Sequence, residues 1–408
     1  SSVTNVESFG CCNKLKLLVN LSNVKILSEG IPSDAKIIEI PNGYIEGDYI
    51  FANIDGKATL CAYVGDATKI ESPQECKSGS YAIAAAAFRG APSLQSVTIP
   101  SSVTDIDNYA FAGCNNLKEI ISFSASPINS TAYVIYAPNG YIENGYVFAD
   151  INGTTTLCGY IGNDTKVDLP QECKSGSYAI AAYAFTGNSS IQSITIPNSV
   201  TAIGKDAFAG CNGLKEVINF STIPVESSIS SYIVNAPKGN IEGDYIFADI
   251  DSTATLCGYI GNATKIELPQ QYKNSNYAIA TSAFKNKLSI QNITIPNSVT
   301  AIGKNAFAGC SGLKEVINFS AVPVENSIAG YVVNAPNGNF EGDYIFADID
   351  STATLCGYIG NMAKLELPQQ YKNGNYAIAA GAFKNNSSIQ SITIPNSITA
   401  IGSDAFNG

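Results

Sequence analysis

Apolar and polar residues alternate along this chain in short bursts, and the bursts return at two nested spacings. In "LQSVTIP" (Leu94 to Pro100) the pattern turns Leu94, Val97 and Ile99 inward and Ser96 and Thr98 outward. Alternation of that kind predicts a half-buried strand. Pro100 ends it, because proline brings no N–H to a ladder. "SSVT" then reads as a polar turn. "IDNYAF", written "IGKDAF" in a later copy, is expected to make a short helical or 3-10 return with its Ile and Phe in the core. "AGCNNL" closes the circuit, with Gly113 free to take positive φ and Cys114 buried.

A second pattern sits between these circuits. "YIFADIDSTATLCGYIG" (Tyr245 to Gly261) holds two alternating runs around Asp251-Ser252. Earlier copies put Asp55-Gly56 and Asn152-Gly153 at the bend, the dipeptides that most favour a tight hairpin. One hairpin per long repeat is expected, projecting from a coil or replacing part of one. "KIELP" (Lys265 to Pro269) then resumes the coil.

The long spacing is read from landmarks. Thr98, Thr195, Thr294 and Thr393 lie 97, 99 and 99 residues apart, and Phe51, Phe148, Phe247 and Phe346 take the same steps. Inside each long repeat a spacing of 23 separates Phe88 from Phe111, Phe185 from Phe208, Phe284 from Phe307 and Phe383 from Phe406. A 20–29-residue spacing on a Leu/Ile framework predicts a stacked solenoid of the leucine-rich-repeat kind. The expectation is one β-rich α/β repeat solenoid over 1–408. Its long repeats fall near 1–93 (partial), 94–190, 191–289, 290–388 and 389–408 (partial), with both ends falling inside a repeat.

"SITIPNSVTAIGKDAFAGCNGLKEV" (Ser193 to Val217) resembles the repeat of BspA-like leucine-rich-repeat surface proteins, the type also known from treponemes, and "ATLCGYIGNATKIELP" (Ala254 to Pro269) is similar to their second block. The Pro-ended strand, the Ile-Gly, the Ala-Phe and the Cys-x-x-Leu recur in order. The resemblance implies a right-handed curved solenoid with a parallel sheet on its concave face. It also implies an extracellular or cell-surface protein of a host-associated bacterium that binds a host or microbial surface protein, or a glycan. It brings no catalytic residues. The chain departs from the pattern at Ser1 to Gly30, where the Ala-Phe pair is missing, and at the Cys of "TLCGY", where a small polar residue is expected.

Composition narrows the function classes. The 408 residues include no His and no Trp. Without His there is no Ser-His-Asp triad, no Cys-His pair and none of the common zinc sites. The formal net charge of −11 comes with no basic stripe, so nucleic acid is not an expected partner. The longest apolar run, Tyr81 to Phe88, is far short of a membrane span. Most of the 11 cysteines fall in register with the repeats, as Cys61, Cys158, Cys257 and Cys356, and as Cys114, Cys211 and Cys310. Such positions suit reduced, buried thiols. Cys76 and Cys173 give way to Tyr272 and Tyr371, which would orphan any disulfide partner; Cys11 and Cys12 fit no series.

Repeated carboxylates such as Glu242, Asp244, Asp249 and Asp251 lack a Ca²⁺-loop pattern and fit hairpin chemistry better. A glycosidase pair is expected once rather than four times in step. The reading is therefore a non-enzymatic binding protein with no cofactor and no metal: an adhesin or interaction scaffold, with glycan capture or a structural stalk as alternatives. Its candidate binding residues are the outward ladder Ser96, Thr98, Ser193, Thr195, Asn292, Thr294, Ser391 and Thr393, with Tyr44 and Tyr141 as surface aromatics. The Tyr63, Tyr160, Tyr259 and Tyr358 series is expected to pack across the hairpin instead.

Overall fold

A computed structural model describes residues 5–6, 17–23, 25–26, 31, 36–89, 91–174, 176–226, 231–325, 328 and 330–407. Cys11, Cys12 and most of the irregular opening segment fall outside them. The described chain is a β-solenoid of stacked coils.

Each copy contributes two sheets. In the first, a coil sheet runs Lys69–Glu71, Ser96–Ile99, Glu119–Ser122 and Tyr133–Tyr136, all parallel. A hairpin sheet runs Tyr44–Glu46, Tyr49–Ile54, Lys57–Tyr63, Tyr81–Ile83 and Val103–Ile106. Its first three strands are antiparallel and the others join in parallel. The second and third copies repeat both sheets, and the fourth repeats the hairpin sheet with a two-stranded coil sheet. At the hairpin bends Asp55 and Gly56 hold φ of 52° and 82°, and Asn152 and Gly153 hold 54° and 78°. Positive φ at both central residues matches the strand twist, which is why Asp-Gly and Asn-Gly sit there.

The main core of each copy lies between its two sheets. In the first copy Val97, Ile99 and Ile120 of the coil sheet meet Phe51, Leu60, Tyr81 and Ile83 of the hairpin sheet. The 23-residue spacing becomes a ring stack: Phe88 on Phe111 at 4.9 Å, Phe185 on Phe208 at 5.3 Å, Phe284 on Phe307 at 5.3 Å and Phe383 on Phe406 at 5.1 Å. Each such Cys closes its coil from inside, Cys114 Sγ lying 3.1 Å from the Phe88 carbonyl and Cys310 Sγ 3.0 Å from that of Phe284.

The returns differ from expectation. No helix, α or 3-10, occurs among the described residues. "VTDI" (Val103–Ile106) is a strand whose register shifts between Val103 and Asp105. The bulge turns both Val103 and Ile106 inward, and a spacing of three then imitates a helical period. In the turns beyond, a left-handed residue interrupts any helix: Asp206 at 55°, Asn305 at 56° and Asp404 at 53°.

The hairpins are walls rather than projections. One face of Tyr146–Ile151 and Thr154–Tyr160 gives Phe148, Leu157 and Tyr160 to the core of its own copy. The other gives Val147, Ala149 and Cys158 to a junction core with Ile121, Ile135 and Ala137 of the copy before. The same two-faced arrangement recurs around Cys257 and Cys356. A strand buried on both faces has no polar position to spare. That explains a Cys in "TLCGY". The Tyr63 series packs across the hairpin as expected, Tyr63 opposite Tyr49 with rings 5.3 Å apart.

Candidate functional site

Each junction core covers the last strands of a coil sheet, so the outer side of the first strand stays open and that of the second is partly open at its leading residue. Strand register writes the same polar row there in every copy. Ser96 lies between Lys69 and Glu119, Ser193 between Lys166 and Glu216, and Asn292 between Lys265 and Glu315. Ser391 pairs with Lys364. The lysines are exposed, and so are Glu71, Asp168, Glu267 and Glu366 two residues further along the same strands. Lys166 and Asp168 stand 3.7 Å apart, both more than half exposed. Such a pair adds little to stability and leaves the charges available.

The predicted ladder therefore divides. Ser96, Ser193 and Asn292 are half-buried in the open row, and Ser391 is exposed. Thr98, Thr195 and Thr294 are each only 7% exposed. In register they lie between an acidic residue and a buried isoleucine, Thr98 between Glu71 and Ile121. The Oγ1 atoms of Thr98 and Thr195 have no hydrogen-bond partner. Thr393 has a neighbouring strand on one side alone and is exposed. Tyr44 and Tyr141 stand away from the row, on the edge strands of the hairpin sheets. Tyr44 stacks on Phe51 at 5.7 Å with Lys77 Nζ 4.9 Å from its ring centre, and Tyr141 stacks on Phe148 at 5.6 Å with Lys174 Nζ at 3.9 Å. Both rings are half-buried packing residues with buried hydroxyls.

The residues that the sequence reading missed are Glu119, Glu216 and Glu315. They close the row at the edge of the next copy. The signal was present, since "LKE" follows every clean coil, but a lone Glu on a strand reads as solvated surface. Here each is half-buried. Burial pushes the Glu119 and Glu315 carboxyls above their ordinary range, against Ser96 and Asn292, which donate to them at 3.4 and 3.3 Å, and against the nearby charges of Lys69 and Lys265. Glu216 is held differently: Lys287 of the following copy places Nζ 3.1 Å from its Oε1, with both side chains about four-fifths buried. Tyr133, Tyr232 and Tyr331 stand beside these carboxylates and tie the copies together. Tyr133 donates to the Tyr183 carbonyl at 2.7 Å and Tyr331 to that of Gly381 at 2.6 Å.

A family described as BspA type leucine rich repeat region matches the chain in six copies, over residues 63–137, 178–314, 277–324 and 356–408. Among solved structures, a leucine rich cell surface protein from Faecalibacterium prausnitzii is 21% identical and covers 90% of this chain and 92% of its own, with a TM-score of 0.25. The leucine rich repeat protein of T. pallidum is 17% identical over 64% of this chain and 85% of its own, with a TM-score of 0.18. The pneumococcal vaccine antigen PcpA is 16% identical over 90% and 86%, with a TM-score of 0.20. No curated protein matches the chain.

Proposed function

The chain belongs to the BspA-type leucine-rich-repeat family, and on that premise we propose that it is a non-enzymatic binding scaffold, extracellular or at the cell surface, whose partner is a host or microbial surface protein. The observation that carries this reading is the row Lys–Ser/Asn–Glu, written in register across three adjacent strands in three successive copies. A surface that repeats one charge arrangement in step suits a protein partner with several weak contacts, because linked weak contacts sum to avidity. A catalytic constellation, by contrast, is assembled once.

The glycan alternative asks for exposed aromatic rings at one level of the coil. Of the exposed tyrosines, Tyr109 and Tyr183 share a position in the short coil and Tyr136 has another, but none forms a series, since later copies carry Asp206, Ser282 and Asn235 in their places. That favours the protein partner. The test is binding of the purified chain to a panel of host matrix proteins beside a panel of mucin-type and soluble glycans. Saturable binding to a matrix protein supports the scaffold. Saturable binding to glycans alone replaces it with capture, and a folded chain silent on both replaces it with a stalk.

A further inference from the structure

The three junction carboxylates occupy one place in the fold and meet three different surroundings. Between the second and third copies the chain supplies its own cation, Lys287 on Glu216. At the equivalent place the next junction has Asn386 and the previous one has Asn188. Neither asparagine turns to the carboxylate. Asn386 Nδ2 donates to the Gly360 carbonyl at 2.9 Å while its Oδ1 accepts from Ser388 Oγ at 2.6 Å, and Asn188 Nδ2 donates to the Tyr160 carbonyl at 3.2 Å. Among the described residues no basic side chain lies within ion-pair distance of Glu119 or Glu315. A cleft of about 410 Å³ opens beside Glu315, walled by Tyr331, Tyr358, Gly360 and Asn386. Lys314 and Lys384 also line it, neither within ion-pair distance of the carboxylate, and Lys384 Nζ lies 5.5 Å from the Tyr331 ring centre.

We infer that the cleft at Glu315, and by equivalence the place beside Glu119, receives a lysine or arginine side chain of the protein partner, and that Lys287 shows the bound arrangement from within the chain. This rests on the scaffold reading and names the chemistry of its partner. A half-buried carboxylate next to a tyrosine offers a cation both a charge-assisted hydrogen bond and an aromatic wall for its stem. Thr186 stands at the first junction where Lys384 stands at the third, so one competing positive charge is absent beside Glu119.

The probe is a short uncharged peptide carrying one central lysine, with norleucine in its place as control, titrated by NMR into the intact chain. Filling both sockets with the chain's own cation, N188K with N386K, is expected to weaken lysine-peptide binding on the order of tenfold or more, the scale of a hydrogen bond to a charged group. The opposite change, K287N, is expected to add a third site. Both variants copy a residue that another junction already carries, and an unchanged melting curve confirms their folding. E341Q, an exposed acid on the edge strand of a hairpin sheet and outside the row, is expected to change little. Lysine-peptide binding that is the same in N188K/N386K as in the native chain overturns the proposal and assigns the attraction to the net charge of −11. A matrix protein bound equally well by both forms also overturns it and leaves the scaffold standing. An occupied socket with no protein captured from the panel sinks the scaffold alone.

Discussion

The hydroxyl of Tyr272 donates to Oδ1 of Asn240 across 2.7 Å, and the pair is the mirror of Tyr44 and Cys76 two copies earlier. In both places one tyrosine ring stacks on the hairpin phenylalanine. Tyr44 reaches Phe51 from the edge strand, whereas Tyr272 reaches Phe247 from the loop, at 4.3 Å. The fourth copy repeats the second solution, with Tyr371 donating to Asn339 at 3.0 Å. Exchanging Tyr/Cys for Asn/Tyr conserves the ring and changes only its anchor. Tyr272→Cys alone is therefore expected to destabilise the third copy by about 3 kcal/mol through the cavity it leaves. Asn240→Tyr alone crowds a second ring into the space, at about 1–3 kcal/mol. The double change should recover most of both losses. Hydrogen exchange across residues 240–280 measures this, and additive losses would disprove the exchange.

The walls between copies are packed to contact at a glycine. A Cβ at Gly159 would stand 2.6 Å from Ile135 Cδ1, and one at Gly258 would stand 2.9 Å from Val234 Cγ1. Gly159→Ala is expected to destabilise the junction by about 1–3 kcal/mol, with part of the loss recovered by Ile135→Val. The first copy carries Ala62 at this place, so Ala62→Gly should be milder. Denaturant unfolding of the three variants checks the order.

Burial, the largest influence on the hairpin thiols, pushes Cys158, Cys257 and Cys356 up to about 11. A raised thiol pKa leaves almost no thiolate at neutral pH, and the thiolate is the reactive form. In the folded chain these three are expected to resist alkylation at pH 8, while among the described cysteines the less buried Cys61 and Cys173 are labelled ahead of them. Peptide mapping after a timed pulse of iodoacetamide reads this directly. Rapid labelling of Cys257 in the native state would contradict the wall.

The pH dependence follows from Glu119 and Glu315. Their folded pKa values lie above the ordinary one, so the folded chain holds their protons more tightly than the unfolded chain does. Their contribution to stability is full below the unfolded value and is lost as pH rises through the folded value. Glu315→Gln removes the cost of ionising a half-buried acid. It is expected to leave the acid-side melting temperature unchanged and to raise the neutral one slightly, which a pair of melting curves at pH 4 and pH 7 resolves.

Much of this fold is legible in the sequence because its landmarks are packing residues. Phe88 and Phe111 announce a stack by their spacing, and Asp55-Gly56 announces a bend by its backbone preference. The returns misled because a β-bulge gives Val103 and Ile106 a helical spacing, and a period cannot separate the two. The role of the hairpin was hidden for a related reason. "YVFA" is apolar on both sides of the strand, and only the neighbouring copy shows what covers the second side. Within the candidate site, Ser96 and Asn292 were visible as outward positions. The burial of Thr98 and the weight of Glu119 were not, because both depend on strands and turns 20 to 70 residues away in the chain.

The most direct test of the binding row counts copies. Lys69, Lys166 and Lys265 are replaced by Ala one, two and three at a time, and each variant is measured by surface plasmon resonance against the matrix protein that the panel identifies. A row that acts as repeated weak contacts predicts an affinity that falls stepwise with each copy altered, mostly through faster dissociation. An affinity indifferent to all three replacements, or lost entirely at any single one, would contradict it.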